Sequence, residues 1–145
     1  MAEALPERTS YGAREEGKDW VGTASGLWTI AAAVYMTVMG PQGFRELGET
    51  CIARSHYAAQ KLAALPGVTV KLSPAFFKEF VVNFDGAGTT VAKVNKGLRD
   101  HAIFGGKDLS SEFPELGQSA LYCVTEYHSE ANILELASAL KEVLS

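Results

Sequence analysis

Three histidines, two cysteines and eight lysines are where chemistry would have to reside in this chain. A structural zinc site needs four closely spaced nitrogen or sulfur ligands. His56 falls in a charged helical stretch, and His101 and His128 fall at a helix end and a helix start. No pair of them has zinc-ligand spacing, and neither a HExxH nor a CxxC motif occurs, so no metal ligands are assigned. A lysine that forms a Schiff base needs a desolvated setting to lower its pKa. Most of the lysines sit on charged faces; Lys71 and Lys78, beside strand patterns, come nearest to such a setting. Serine, histidine and aspartate are all present, but nothing resembles a nucleophile elbow. No residue is assigned a catalytic or cofactor-binding role.

Two glycine turns are the other candidates. Asp85-Gly86-Ala87-Gly88-Thr89-Thr90 follows a strand pattern and opens a helix, a context in which backbone N–H groups can cradle an anion. It lacks the full phosphate-loop and dinucleotide patterns, so a plain strand-to-helix turn is the simpler reading. In Ile103-Phe104-Gly105-Gly106, two glycines follow a bulky pair. Glycine has no Cβ, so a second chain or a ligand can approach its backbone closely. Phe104, Gly105 and Gly106 are therefore a candidate docking loop, with an ordinary turn as the alternative. On the docking reading, Gly106→Val should leave the fold largely intact and weaken association.

The elements that position these groups follow from the pattern of apolar residues. No charge occurs between Asp19 and Arg45. The run from Leu27 to Met39 reads as a helix over about 23–39, stopped by Gly40-Pro41. It is apolar around nearly its whole circumference, so it must be covered on all sides. Other helices of the chain could cover it, or it could dock on another domain or subunit. Leu27, Trp28 and Tyr35 are the candidate docking residues on it. Polar Ser25, Thr29 and Thr37 and the Gly-Pro stop argue against a membrane span.

Pro41 suits the first turn of a second helix, which carries Phe44, Leu47, Cys51, Ala58 and Leu62 on one face and ends before Pro66-Gly67. The period then changes to two. Strands are expected over 68–72, 79–84 and 120–125. A helix capped by Thr89 or Thr90 carries Val91, Val94 and Leu98. The last helix, capped by Ser129, carries Ile133, Leu136, Ala137, Leu140 and Leu144. The expected class is α+β: a small, mostly antiparallel sheet covered on one face by helices. Residues 1–22 read as an N-terminal arm and 23–145 as a single domain.

Composition excludes some partners. With a net charge of −4 and no aromatic-interleaved basic stripe, the chain has no electrostatic reason to bind nucleic acid. Its first residues lack the apolar core of a signal peptide. Cys51 and Cys123 read as small buried residues in a reducing compartment, which points to the cytoplasm.

Several stretches in succession carry a family likeness. Leu62-Ala63-Ala64-Leu65-Pro66-Gly67-Val68 runs into Phe76-Phe77-Lys78-Glu79-Phe80-Val81-Val82. Ile103-Phe104-Gly105-Gly106, Pro114-Glu115-Leu116 and Leu121-Tyr122-Cys123-Val124-Thr125-Glu126 follow. Upstream stand Ile30-Ala31-Ala32-Ala33-Val34-Tyr35, Gly40-Pro41-Gln42-Gly43 and Ser55-His56-Tyr57-Ala58. Together they resemble the C-terminal part of the glycine dehydrogenase (decarboxylating) subunit 1 family, the alpha half of the P-protein of the glycine cleavage system. The likeness covers about 27–145. It implies the small C-terminal domain of a fold type I pyridoxal phosphate enzyme. Pyridoxal phosphate is implied for the complete enzyme and none for the isolated chain, since the cofactor lysine belongs to the partner subunit. Where the family usually reads Arg-Glu-Lys-Ala-Thr-Ser-Asn-Ile-Cys-Thr, this chain has Arg14-Glu15-Glu16-Gly17-Lys18-Asp19-Trp20-Val21-Gly22-Thr23, so no site residue is carried over from that arm.

The resemblance implies an enzyme part that is inactive alone. Its partners would be the catalytic subunit, the large cofactor domain and, through the complete enzyme, the lipoyl-carrier protein. A free-standing interaction module that kept the fold without the chemistry is the alternative, with self-association a further option. A small-ligand binder using Gly86–Thr90 is the weaker third.

Overall fold

Gly40 breaks the first long helix of the computed structural model, which describes residues 26–71 and 75–145. The arm over 1–22 lies outside the described residues. Helix α1 spans Gly26–Ala63, and at Gly40 the backbone leaves helical geometry with φ 60° and ψ 179°. Glycine enters that region without a Cβ clash, and Pro41 restarts the helix at the turn where its missing N–H costs least. The two helices expected on either side of Gly40-Pro41 are thus present, joined at the kink.

The chain divides into two compact units, Met1–Phe44 and Arg45–Ser145. In the described part of the first, Tyr35 and Phe44 meet edge to face with ring centroids 5.9 Å apart. Leu27 and Trp28 are each 75% exposed and Val38 is 78% exposed. No helix among the described residues is long and apolar enough to cross a membrane.

The second unit holds the sheet. Strands β1 (Thr69–Lys71), β2 (Glu79–Asn83), β3 (Lys107–Asp108) and β4 (Ser119–Cys123) lie in the order β1-β2-β4-β3. Every pairing is antiparallel. Phe80 faces Tyr122 and Val82 faces Ala120 across β2 and β4. Alternation puts Phe80, Val82, Phe84, Ala120, Tyr122 and Val124 on one face of the sheet, where they are buried. Against them pack the second half of α1 through Ala58 and Leu62, α2 (Val91–Asp100) through Val94 and Leu98, and α3 (Glu130–Val143) through Ile133 and Leu140. This is the α+β layering expected from the sequence.

Local chemistry sets the helix starts. Thr90 accepts from Lys93 N to cap α2, and Ser129 and Asn132 form a reciprocal capping box on α3. Ser55, fully buried in α1, donates to Phe77 O at 2.7 Å, so a polar side chain sits in the core without an unmet bond.

One polar cluster ties β1, β2 and the approach to β4 together. Asp85 accepts from Gln118 N at 2.9 Å and from Asn83 Nδ2 at 2.7 Å, with Lys71 Nζ 3.7 Å away. The Gln118 N–H, then Asn83 and then Lys71 hold its carboxyl below the ordinary range. A depressed carboxyl pKa stabilises the fold above the ordinary range and loses that contribution as pH falls through the folded value. Asp85→Asn should therefore melt at a lower temperature than the parent at neutral pH, with the gap closing as pH falls below the ordinary carboxylate range. Equal midpoints for the two chains at neutral pH would refute this.

Candidate functional site

The second unit carries an open groove of about 700 Å³. Its walls are the loop from His101 to Gly106, the β4 edge from Leu121 to Val124, the turn at Tyr127-His128, and α3 through Ile133 and Leu136. It exists because β3 is only two residues long. β3 pairs with β4 at Lys107–Leu121 and Asp108–Ala120. Val124 N reaches the other way, to Lys78 O at 2.9 Å. By alternation, Cys123 turns its N–H and C=O toward the side that β3 no longer occupies.

The loop wall is fixed from beneath. Ile103 N donates to Leu98 O at 2.9 Å, and Asn95 Nδ2 to Gly106 O at 2.8 Å. Phe104 points outward, 91% exposed. The two glycines behave differently from expectation. A Cβ on Gly105 would lie 2.0 Å from Asn95 Oδ1; one on buried Gly106 would lie 2.7 Å from Tyr122 Cε2 and 2.8 Å from Leu121 O. The close approach that requires glycine comes from the chain's own side chains and backbone. The expectation that Gly106→Val spares the fold is corrected accordingly. Phe104 is the member of this loop that offers free surface. Beneath it, burial pushes the Tyr122 hydroxyl up to about 12, with the Gly106 backbone acting in the opposite direction. That hydroxyl has no hydrogen bond of normal geometry.

The turn wall is clamped to α1. Arg54 Nη1 donates to Glu126 O and, at 2.9 Å, to His128 O. Cys51 Sγ donates to Glu126 Oε2 at 3.1 Å. Burial first, and then this carboxylate, raises the Cys51 thiol, while the thiol's hydrogen bond is the largest cause lowering Glu126. A buried thiol held in this way is a structural donor rather than a nucleophile. Thr125 N donates to His128 Nδ1 at 3.1 Å, and Tyr127 stands 89% exposed between them.

Other residues singled out in the sequence have structural duties. The Asp85–Thr90 turn has no vacant anion cradle. Gly88 N donates to Asp85 O, Lys93 N to Thr90 Oγ1 and Val91 N to Gln118 Oε1. Gly86 is needed because its backbone abuts Gly67. His56 stacks on Phe76 at 4.1 Å, and His101 lies 3.8 Å from Glu142. Lys71 donates to Leu116 O at 2.9 Å, and Lys78 is exposed. Cys51 is buried as expected, but Cys123 is exposed, which corrects the reading of both as buried; both thiols are free. Cys123, Tyr127 and His128 were not singled out together by sequence. The signal available was an aromatic pair placed just before the Ser129 cap. Leu27, Trp28 and Tyr35 lie in the first unit, with Tyr35 49% exposed.

Probable glycine dehydrogenase (decarboxylating) subunit 1 of Staphylothermus marinus is 36% identical to this chain over 141 residues, which is 97% of the chain and 30% of that protein. The Moorella thermoacetica protein of the same name is 34% identical over 97% of the chain and 31% of its own length. That of Thiobacillus denitrificans is 35% identical over 100% and 32%. The chain is a relative of glycine dehydrogenase (decarboxylating) subunit 1. It spans about three-tenths of the length of these subunit 1 proteins. No family model matches. A crystal structure of glycine decarboxylase (P-protein) of the glycine cleavage system superposes with a TM-score of 0.75 at 28% identity, over 90% of this chain and 29% of that one. A sphingosine-1-phosphate lyase of Burkholderia pseudomallei gives 0.68 at 19% identity, over 88% and 29%, a likeness of fold alone.

Proposed function

We propose that this chain serves as the C-terminal part of a glycine decarboxylase subunit. On this reading it supports pyridoxal phosphate-dependent glycine decarboxylation in the cytoplasm, only when assembled with the large cofactor domain and the catalytic subunit. The lipoyl-carrier protein is met through that assembly. The observation that carries this reading is the match of nearly the whole chain to under a third of subunit 1, in the fold of a glycine decarboxylase. The described lysines do not fit covalent attachment of the cofactor, because each is at least partly exposed. The chain's own contribution is surface. The apolar side chains at Leu27, Trp28 and Tyr35 and the ring of Phe104 would each be covered in the assembly.

The test is reconstitution. The chain is mixed with the separately produced remainder of a subunit 1 relative and the catalytic subunit, and glycine-dependent carbon dioxide release is followed. Activity should require all components. An intact chain that joins neither component would instead favour the stand-alone interaction module, and light scattering would show whether it pairs with itself. Phe104→Ala should weaken association about tenfold, the scale of a buried aromatic anchor, since that residue makes few contacts in the free chain. Its thermal midpoint should stay close to the parent's. Unchanged affinity would remove Phe104 from the interface.

A further inference from the structure

β4 ends in a backbone position that pairs with no neighbouring strand. Val124 N reaches Lys78 O, so Cys123 turns its own N–H and C=O toward the side along which β3 runs. Continuing the β3–β4 register from Lys107–Leu121 puts Gly105 opposite Cys123. No backbone bond joins the two, because Asn95 Nδ2 holds Gly106 O and Leu98 O holds Ile103 N, and the loop turns away toward α2. Among the described residues the Cys123 N–H and C=O therefore have no partner. We infer that this edge position takes an extended segment from the rest of a glycine decarboxylase subunit, which pairs with Cys123 and fills the groove beside it.

The groove selects the chemistry of its occupant. A helix has satisfied its own backbone groups, whereas an extended segment brings a free N–H and C=O to an open sheet edge. The residue of that segment opposite Cys123 shares the Cys123 face of the sheet, so its two neighbours point to the face that the helices cover. There the groove offers Tyr122, Val124, Ile133 and Leu136. The segment should thus carry apolar side chains on both sides of the residue that pairs. Phe104 on the loop wall and Tyr127 on the turn wall are free to cover it. One paired residue supplies only two backbone bonds, so the apolar neighbours carry most of the affinity. The source follows from length. The subunit 1 relatives match this chain over only 30% to 32% of their own length, so most of such a subunit lies outside these 145 residues. The inference rests on the place in such a subunit proposed above.

The probe is the Thiobacillus denitrificans subunit 1 without its matched stretch, mixed with the full chain. Hydrogen exchange should find the Cys123 amide unprotected in the free chain and protected at least about tenfold once the probe binds. Cys123→Pro deletes that N–H and leaves the bonds from β4 to β2 in place, as an edge position allows. It should weaken association about three- to tenfold, the scale of one hydrogen bond. Cys123→Ser keeps the N–H and should bind as the parent does. Binding without protection at Cys123 would overturn the inference and leave the proposed function standing. An intact chain that does not bind the probe would overturn both. Protection that rises with the concentration of the chain alone would make the occupant a second copy, and would overturn the inference too. If Cys123→Pro fails to fold, the exchange of the parent's Cys123 amide decides by itself.

Discussion

Gly106→Val is expected to cost about 3 kcal/mol or more and to open the sheet edge. A Cβ at this position lies 2.7 Å from Tyr122 Cε2 and 2.8 Å from Leu121 O. Neither neighbour can withdraw. The Tyr122 ring is buried and stacked near Phe80, with centroids 6.2 Å apart. Leu121 belongs to β4 and pairs with Lys107, the residue next to Gly106. Valine adds two further methyl groups to a site with no room for one. Urea unfolding of the variant and the parent measures the loss. A change under about 1 kcal/mol would show that the loop can shift as a unit and would return these glycines to a docking role.

That residue also marks where sequence reading stops. The pair of glycines after Ile103-Phe104 announced a close approach, and there is one. Which group approaches is a question of long-range register, and nothing local to residues 103–106 says that Tyr122 will be beneath them. By contrast, the elements with strong local signals were legible. Thr90 and Ser129 cap helices because a short side-chain oxygen precedes an apolar period. Gly40-Pro41 breaks α1 because one residue permits a positive φ and the other cannot continue a helix. The alternation Phe80, Val82, Phe84 placed one face of β2 in the core.

The groove was less legible for the same physical reason. β3 consists of Lys107 and Asp108 alone, too short and too polar for any period to show. Its early end leaves the β4 edge unpaired at Cys123, whose side chain is exposed because it alternates with buried Tyr122 and Val124 onto the other face of the sheet. The turn at Thr125–His128 depends on Arg54 and Cys51, more than seventy residues away in sequence. The apolar helix presents the reverse case. Its composition was plain, and Leu27 and Trp28 are nonetheless exposed, because burial is a property of everything that surrounds a segment.

Gly67→Ala carries two separable costs. Gly67 sits at φ 75°, where an L side chain meets the following carbonyl at a cost of roughly 1–2 kcal/mol. Its Cβ would also lie 2.5 Å from Ala87 N and 2.6 Å from Gly86 C. Those atoms belong to the 3-10 turn Asp85–Ala87, whose Asp85 carboxylate is held by Gln118 and Asn83. Backbone cannot rotate aside as a side chain does, so overpacking adds about 1–3 kcal/mol. The total should be about 2–5 kcal/mol. Gly88→Ala isolates the first cost, since Gly88 has φ 64° with nothing within 4 Å of its Cβ position. It should lose only about 1–2 kcal/mol. Denaturant melts of the two variants, side by side, decide the matter. If Gly67→Ala is no worse than Gly88→Ala, the contact between Gly67 and the 85–87 turn yields at no cost, and the close packing of the α1 exit on that turn is not what selects glycine.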